Sequence, residues 1–172
     1  MFIYEIPPIS YMGLDEVNRI KAFFTQHNIA VTYLHHKAVI TSEDAAKTRG
    51  FELKQGVKAI LFTNDSLGWV IANISADKKV DQKKVAEHMS WSKGKIRMAT
   101  PEEVLQKTGC EIGAVPPFGH KEQLHILVDK NIYDNKENAF NIGLRTDSVK
   151  IKTENMKKVF NELKVTECML AK

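Results

Sequence analysis

The feature that most constrains this chain is a loop rich in glycine and proline between residues 108 and 119. Its spacing is Gly109-x3-Gly113-x3-Pro117-Phe118-Gly119, and it holds three of the nine glycines and two of the five prolines. Glycine reaches backbone angles that other residues avoid, and proline fixes its own φ and lacks an N–H group. The pattern predicts a stiff loop with exposed amides, or a helix C-cap at Gly109 followed by an ordinary turn.

Helix and strand signals surround this glycine loop. Thr100 is a capping residue, Pro101 suits the first helical position, and Glu103 can bond back to the cap, so a helix is predicted directly before the loop. Other helices are predicted at about 14–27, from Thr41 to near Gly50, at 82–88 and from Thr153 onward. Strands are predicted at 31–34, 56–62, 69–74, 95–98, 123–129, 139–143 and 149–151, the second and third forming an antiparallel hairpin.

The order of these elements predicts the fold class. Strands and helices alternate without a regular βαβ repeat, which indicates an α+β fold: a mixed, largely antiparallel β-sheet flanked by helices, with the glycine loop at its edge. A chain of 172 residues can bury one sizeable core, and no linker composition divides it. We therefore expect a single domain over 1–172, with about the first 12 residues as an extension.

Several functional classes are excluded by composition. No apolar run approaches the roughly 20 residues that a membrane helix needs, and the first residues do not form a secretory signal, so we expect a cytoplasmic protein without a membrane partner. Cys110 and Cys168 have no metal or disulfide spacing and are expected to be free thiols. The pair His35-His36 lacks the further ligands that zinc needs. We expect no metal and no cofactor.

The net charge of +4 is unevenly distributed. Residues 78–97 contain seven basic residues against two acidic ones, whereas the remainder is close to neutral. Such a basic stripe is either a footprint for a phosphate backbone or a solvated helix face. Its candidate nucleic-acid-binding residues are Lys83, Lys84, Lys93, Lys95 and Arg97.

One lysine stands inside an apolar strand. Lys58 alternates with apolar neighbours in Gly56-Val57-Lys58-Ala59-Ile60-Leu61-Phe62. Because an unpaired buried ammonium is costly, the lysine either reaches solvent at the strand's edge or meets an anion. On pattern alone the first alternative is favoured.

Seven segments together carry a family resemblance: Thr41–Ala46, Gly56–Phe62 with Lys58, Val80-Asp81, Ala99–Val104, the glycine loop, Val128-Asp129 and Gly143. In this order and spacing, over about residues 30 to 165, the chain resembles the YbaK and prolyl-tRNA-synthetase-associated family of trans-editing aminoacyl-tRNA deacylases. The resemblance extends to the editing insertion of bacterial prolyl-tRNA synthetases. It implies hydrolysis of the ester that joins a wrong amino acid to the terminal adenosine of a tRNA.

The resemblance also implies site residues and partners. Lys58 and Gly113 are implied to be catalytic. Substrate binding is implied for Thr41, Gly109, Ala114, Pro117, Phe118, Gly119, Asn141 and Gly143. The partners implied are the 3′ end of a mischarged tRNA, which is tRNA-Pro or a related tRNA, and a synthetase such as prolyl-tRNA synthetase. Phe140-Asn141-Ile142-Gly143 replaces a run of small residues in many relatives, which leaves open alanyl, cysteinyl, seryl and threonyl esters.

Two other functions stay open at this point. A binding module for a tRNA end or a nucleotide, serving a synthetase as an adaptor, would share the fold without the hydrolysis. A cysteine-dependent hydrolase or redox protein would need a thiolate at Cys110, which the negative end of the preceding helix disfavours. No Gly-x-Ser-x-Gly elbow for a serine nucleophile is present in the sequence.

Overall fold

The computed structural model describes residues 12–66, 68–92 and 94–172. The predicted N-terminal extension, apart from residue 12, and the candidate tRNA-binding residue Lys93 lie outside these ranges. The α-helices described are α1 (Leu14–Gln26), α2 (Ser42–Arg49), α3 (Gln82–Met89), α4 (Pro101–Thr108) and α5 (Thr153–Glu162). The strands described are β1 (Thr32–His35), β2 (Val57–Thr63), β3 (Trp69–Ser75), β4 (Arg97–Met98), β5 (His125–Asp129), β6 (Glu137–Asn141), β7 (Asp147–Lys152) and β8 (Thr166–Cys168).

The strands form two sheets. The smaller is antiparallel, in the order β1-β7-β6, and the larger has the order β4-β2-β3-β5-β8. In the larger sheet β4, β2 and β3 are antiparallel neighbours, whereas β5 is parallel to both β3 and β8. A parallel bridge between Gly56 and Ala139 joins the two sheets where β2 begins. The predicted class, an α+β domain with a mixed, largely antiparallel arrangement, is confirmed, with its strands divided between two sheets.

Local sequence signals account for the elements beside the glycine loop. The predicted hairpin is confirmed, since β2 and β3 pair from Val57↔Ser75 to Thr63↔Trp69. The capping box of α4 is also present, because Thr100 Oγ1 accepts from the Glu103 amide at 3.3 Å and a Glu103 carboxylate oxygen accepts from the Thr100 amide at 2.9 Å. Gly109 ends this helix with a φ of 79°. These short-range bonds fix the direction in which the loop leaves α4.

Apolar residues gather in layers on the sheets. The largest cluster includes Ile20 and Phe24 of α1, Val159 and Phe160 of α5, and Phe118 of the glycine loop. A second cluster packs α3 against the larger sheet, and a third packs Val104 of α4 against Leu61 and Ile71. The alternate faces of β2 and β3 thus contact α3 and α4 respectively. No helix within the described ranges is long and apolar enough to cross a membrane.

The predicted elements need two corrections. The strand predicted at 139–143 runs from Glu137 to Asn141, because Gly143 has a φ of 129° and belongs to the following turn. The short strand β8 and the 3-10 helices Leu53–Gln55 and Lys130–Asp134 were not predicted. Pro117 of the glycine loop also reaches the inner strand β3, since Asn73 donates to the Pro117 carbonyl at 3.1 Å.

Candidate active site

A pocket of about 140 Å³ lies where the two sheets meet. One face of α2, the start of β2, the turn after β3, the glycine loop and the end of β6 supply its walls. Strand β4 pairs with only Phe62 and Thr63 of β2, so the first part of β2 has no strand beside it on that edge. This gap in the sheet makes room for the pocket.

The α2 wall follows from the spacing of its residues. Thr41, Ala45 and Arg49 are four residues apart, so they lie on one face of the helix, and all three line the pocket. Thr41 also caps the helix, because its Oγ1 accepts from the Asp44 amide at 3.1 Å. The cap predicted from the sequence therefore stands at the pocket's wall.

Lys58 also lines the pocket, and its side chain is half-buried. Its Nζ donates to the Ala76 carbonyl at 3.4 Å, and no carboxylate of the described residues lies within ion-pair distance. Burial lowers the pKa of Lys58, while Glu43 and Asp77 partly offset that effect and Lys79 adds to it. The ammonium is therefore partly desolvated beside a cavity, as the anion-binding alternative requires.

Arg49 supplies a second cation to the same pocket. Its Nε donates to Ser148 Oγ at 3.0 Å and its Nη2 donates to Asn141 Oδ1 at 2.8 Å. Neither partner is charged, and in the described part of the chain Arg49 makes no ion pair with a carboxylate. Burial lowers its pKa to about 10. Since a desolvated cation is costly, this arrangement suits an anionic or strongly polar ligand.

A polar network connects Arg49 to the glycine loop. Asn141 shares its Oδ1 between Arg49 and the Ser148 hydroxyl, while its Nδ2 donates to the Gly113 carbonyl. Behind it, His36 Nε2 lies 2.8 Å from Ser148 Oγ. The network spans α2, β6, β7 and the loop. It therefore fixes Gly113 relative to the cationic side of the pocket.

The glycine loop is held through its carbonyl groups. Side-chain donors from five residues bond to five of them: Arg145 to Ile112, Asn141 to Gly113, His120 to Pro116, Asn73 to Pro117 and Arg19 to Gly119. Burial lowers the pKa of His120 to about 4, so its imidazole is neutral. Gly113 has a φ of 87°, and an added Cβ would lie 3.1 Å from the Ile40 carbonyl oxygen. Glycine is required there.

The predicted site residues are only partly brought together. Lys58, Gly113, Thr41 and Asn141 line the pocket. The others that the resemblance implied, which are not among its walls, are Gly109, Ala114, Pro117, Phe118, Gly119 and Gly143. Ala114 and Phe118 are buried, and the space beside Gly109 is filled by Glu16 and that beside Gly119 by Ile20. These residues shape the loop, and their part in substrate binding stays a prediction.

The basic stripe separates into residues with different surroundings. Lys83 and Lys95 are exposed, whereas Lys84 Nζ donates to the Ala171 carbonyl at 2.6 Å. Arg97 is paired with two carboxylates, at 2.6 Å to Asp65 and 2.8 Å to Glu103. These pairings raise the pKa of Arg97 and lower that of Glu103 to about 2. A guanidinium occupied in this way has little left to offer a phosphate.

Cys110, His35 and His36, which were considered for thiol or metal chemistry, are buried or make contacts with other protein groups. Cys110 is fully buried, and desolvation, reinforced by Glu16, raises the pKa of its thiol. His35 faces Asp147 at 3.1 Å, and His36 belongs to the network behind the pocket. Among the residues that the structure describes, no three histidines, cysteines or acids gather to hold a metal ion. A thiolate mechanism at Cys110 is therefore disfavoured.

Sequence reasoning missed Arg49 and Arg145. Arg49 closes α2 just before Gly50, where a cation is ordinarily explained by the helix dipole. The available signal was the row Thr41, Ala45, Arg49, which puts the arginine on the same face as the capping threonine. Arg145 gave no such signal, because its contact with Ile112 joins residues far apart in the sequence.

Comparisons with known proteins identify relatives of this chain. Residues 36–159 match the family model described as the aminoacyl-tRNA editing domain. The chain is 32% identical over 139 residues to the multifunctional Ser/Thr-tRNA deacylase ProXp-y of Escherichia coli K12, covering 78% of this chain and 82% of that protein. It is 29% identical over 100 residues to the proline–tRNA ligase of Trichlorobacter lovleyi, covering 58% of this chain but 17% of the ligase.

A solved structure shows the same fold. A crystal structure of a proposed trans-editing enzyme for prolyl-tRNA synthetase superimposes with a TM-score of 0.77 and 23% identity, covering 91% of this chain and 97% of the other. Every segment of the chain from α2 to most of α5 falls within the matched family model. The pocket described above lies wholly inside that region.

Proposed function

The chain belongs to the aminoacyl-tRNA editing domain family, and from that premise we propose that it is a trans-editing deacylase of mischarged tRNA. Water adds to the carbonyl carbon of the aminoacyl ester, and the bond to the ribose oxygen of the terminal adenosine breaks. The free amino acid and the intact tRNA are released, and the ribose oxygen takes up a proton. Such an ester is activated, so orientation and oxyanion stabilisation suffice without a protein nucleophile.

The observation that carries this proposal is the charge of the pocket. Two desolvated cations, Lys58 and Arg49, line a small cavity in which the described residues provide no carboxylate. Negative charge on a tetrahedral intermediate or on the adjoining phosphate would be stabilised there. Phosphate binding alone would also serve an adaptor, so measured release of the amino acid distinguishes the two functions.

Individual residues take distinct roles in this proposal. Lys58 and the backbone of Gly113 are the catalytic groups that stabilise the ester's developing oxyanion. Thr41 and Asn141 line the part of the pocket that takes the aminoacyl group. The attacking water is oriented by the substrate itself, through the neighbouring ribose hydroxyl. This scheme needs no side-chain nucleophile, and the buried Cys110 does not serve as one.

The amino acid removed is proposed to belong to the alanine, cysteine, serine and threonine class. A cavity of about 140 Å³ suits a small side chain, and the E. coli relative is named for seryl and threonyl esters. The carrier is proposed to be tRNA-Pro or a related tRNA in the cytoplasm. Similarity to proline–tRNA ligases also supports a synthetase such as prolyl-tRNA synthetase as a partner.

A panel of mischarged tRNAs tests the function. The wild type should release alanine, cysteine, serine or threonine from at least one member of the panel. Lys58→Met should lower kcat at least about 100-fold, because it removes a charge that stabilises the transition state. Release is followed with radiolabelled amino acid, and circular dichroism verifies the fold of each variant.

A matched control separates this effect from a general loss of lysine. Lys107 is paired with Glu122 at 3.1 Å and lies over Trp69, away from the pocket. Lys107→Met should keep kcat within about twofold of wild type. If the wild type binds every tRNA of the panel without releasing any amino acid, the adaptor function replaces the deacylase. If Lys58→Met retains full activity, the catalytic role of the lysine is wrong.

A further inference from the structure

We propose that Arg145 is a positioning residue that directs the Gly113 N–H group into the pocket. This inference rests on the proposed function and adds a residue that lies outside the pocket walls. Arg145 lies in the turn between β6 and β7, and Gly113 lies in the glycine loop. Arg145 donates two hydrogen bonds to the carbonyl of Ile112, the residue directly before Gly113.

Arg145 makes a two-pronged contact with the Ile112 carbonyl oxygen. Its Nε donates at 3.1 Å and its Nη2 donates at 2.7 Å. Its Nη1 lies 3.3 Å from a carboxylate oxygen of Glu111. The guanidinium is a planar group with fixed donor directions, so two bonds to one oxygen restrict rotation of that peptide.

The planarity of the peptide bond transmits this restriction to Gly113. The Ile112 carbonyl and the Gly113 N–H belong to one peptide unit, and every peptide of the described chain is trans. In a trans peptide the carbonyl and the N–H point in opposite directions. Because the Ile112 oxygen faces Arg145, the Gly113 N–H faces away from it. Gly113 lines the pocket, while Ile112 and Arg145 do not.

The next peptide is fixed as well. The Gly113 carbonyl accepts from Asn141 Nδ2, and the Ala114 N–H donates to the Glu111 carbonyl at 3.0 Å. The peptide units on both sides of Gly113 are therefore restrained. Within the described ranges, the Gly113 N–H itself has no hydrogen-bond partner. It is a preorganised donor, and its direction depends on Arg145 on one side and Asn141 on the other.

Kinetics of Arg145 variants test this role. Arg145→Met should lower kcat about tenfold or more and change KM by less than about twofold, because the aimed N–H acts on the transition state. Arg145→Lys, which retains one donor for the Ile112 carbonyl, should recover part of the loss. Both variants should bind tRNA as the wild type does. The substrate is whichever ester of the mischarged panel the wild type hydrolyses fastest.

Two controls isolate the carbonyl contact. Arg19 Nη1 donates to the Gly119 carbonyl at 2.8 Å, so Arg19→Met removes the same kind of contact from a part of the loop that does not line the pocket. Glu111→Gln removes the ion pair of Arg145 but leaves its bonds to Ile112. Both variants should keep kcat within about twofold of wild type.

The outcomes distinguish the inference from the function on which it rests. An active wild type whose Arg145→Met variant keeps its kcat overturns the positioning role alone. Equal losses in Arg145→Met and Arg19→Met would also overturn it, since they would indicate general loosening of the loop. A wild type that hydrolyses no ester overturns the proposed function, and the positioning role with it.

Discussion

Two regions of this molecule carry basic side chains, and the surroundings of those side chains differ. At the pocket, Lys58 and Arg49 are partly desolvated and, among the described residues, contact only uncharged groups. At the far end of the larger sheet, Arg97 bonds to two carboxylates, Asp65 and Glu103. The cations of the first region lower the stability of the fold and are available to a ligand. The cation of the second region stabilises the fold and is already paired with carboxylates.

The number of basic residues in a region does not show whether they are free to bind a ligand. The basic stripe has the larger excess of cations, but part of it serves the protein's own contacts. The pocket has two cations, and neither is neutralised by an acid in the part of the chain that is described. Pairing and burial, rather than density of charge, therefore identify the region suited to an anionic substrate.

The sharpest test of the comparison is to replace Arg49 and Arg97 by the same residue. Arg49→Met should lower kcat/KM by about tenfold to 100-fold, because the pocket loses positive charge. Its free energy of unfolding should stay unchanged or rise by up to roughly 2 kcal/mol, because a desolvated cation is removed. Arg97→Met should instead lower the Tm, because it leaves two carboxylates facing each other. Deacylation kinetics and thermal denaturation measure both effects.

If Arg49→Met and Arg97→Met change the activity and the Tm in the same way, the proposed difference between the two regions is wrong. A large loss of Tm in Arg49→Met would mean that the arginine primarily stabilises the junction of the sheets through Ser148 and Asn141. Arg49→Lys provides the matched control, since it keeps the charge and loses the planar group. We expect it to recover part of the activity without a change in Tm.

The paired region should have its own pH signature. The folded-state pKa of Glu103 is lowered from 4.5 to about 2 by Arg97 and the Thr100 amide. Its stabilising contribution is therefore complete above pH 4.5 and is lost as the pH falls through about 2. Glu103→Gln should lower the Tm at pH 7, and the difference from wild type should shrink below pH 4.5. A difference that is constant down to pH 2 would contradict the ion pair.

The smallest expected effect concerns the exposed part of the stripe. Lys83→Ala should weaken tRNA binding by a few-fold and reduce the slope of log K against log salt by about one, as for one phosphate contact. Lys84→Ala should change less, because its Nζ already donates to the Ala171 carbonyl. Fluorescence titrations at several salt concentrations measure both, with Lys107→Ala as control. An unchanged slope in Lys83→Ala would assign the stripe to solvated surface.

The fold was predictable where the residues that determine an element lie close together in the sequence. The capping box of Thr100 and Glu103 spans three residues, and the β2–β3 hairpin needs only a tight turn. Both were predicted with bounds close to those observed. The fold class and the family followed from several such segments in order. In contrast, β8 has three residues of mixed polarity, too few for a period to be detected.

Of the residues that line the pocket, Lys58, Gly113, Thr41 and Asn141 were predicted from the sequence. Lys58 stood out because it interrupts an apolar strand, and Gly113 was implied by the family resemblance of the glycine loop. Arg49 and Arg145 did not stand out, since their roles depend on partners such as Asn141 and Ile112 that the fold brings from afar. The pairing of Arg97 could not be seen in the sequence for the same reason, because Asp65 lies 32 positions away; its part in tRNA binding stays a prediction.

The pairing of β1 with β7 has a consequence for how the protein reaches its working state. Thr32 lies beside Lys150, and Asn141 reaches back to Gly113 and Arg49, so the pocket is closed by contacts between distant parts of the chain. Contacts of this kind form late, because ordering the intervening chain is entropically unfavourable. A nascent chain that has emerged only as far as the glycine loop contains Lys58 and Gly113 but lacks the strand that brings them together. Activity would therefore appear only after β6 and β7 have been synthesised, which makes it a direct report that these strands have folded onto the earlier part of the chain.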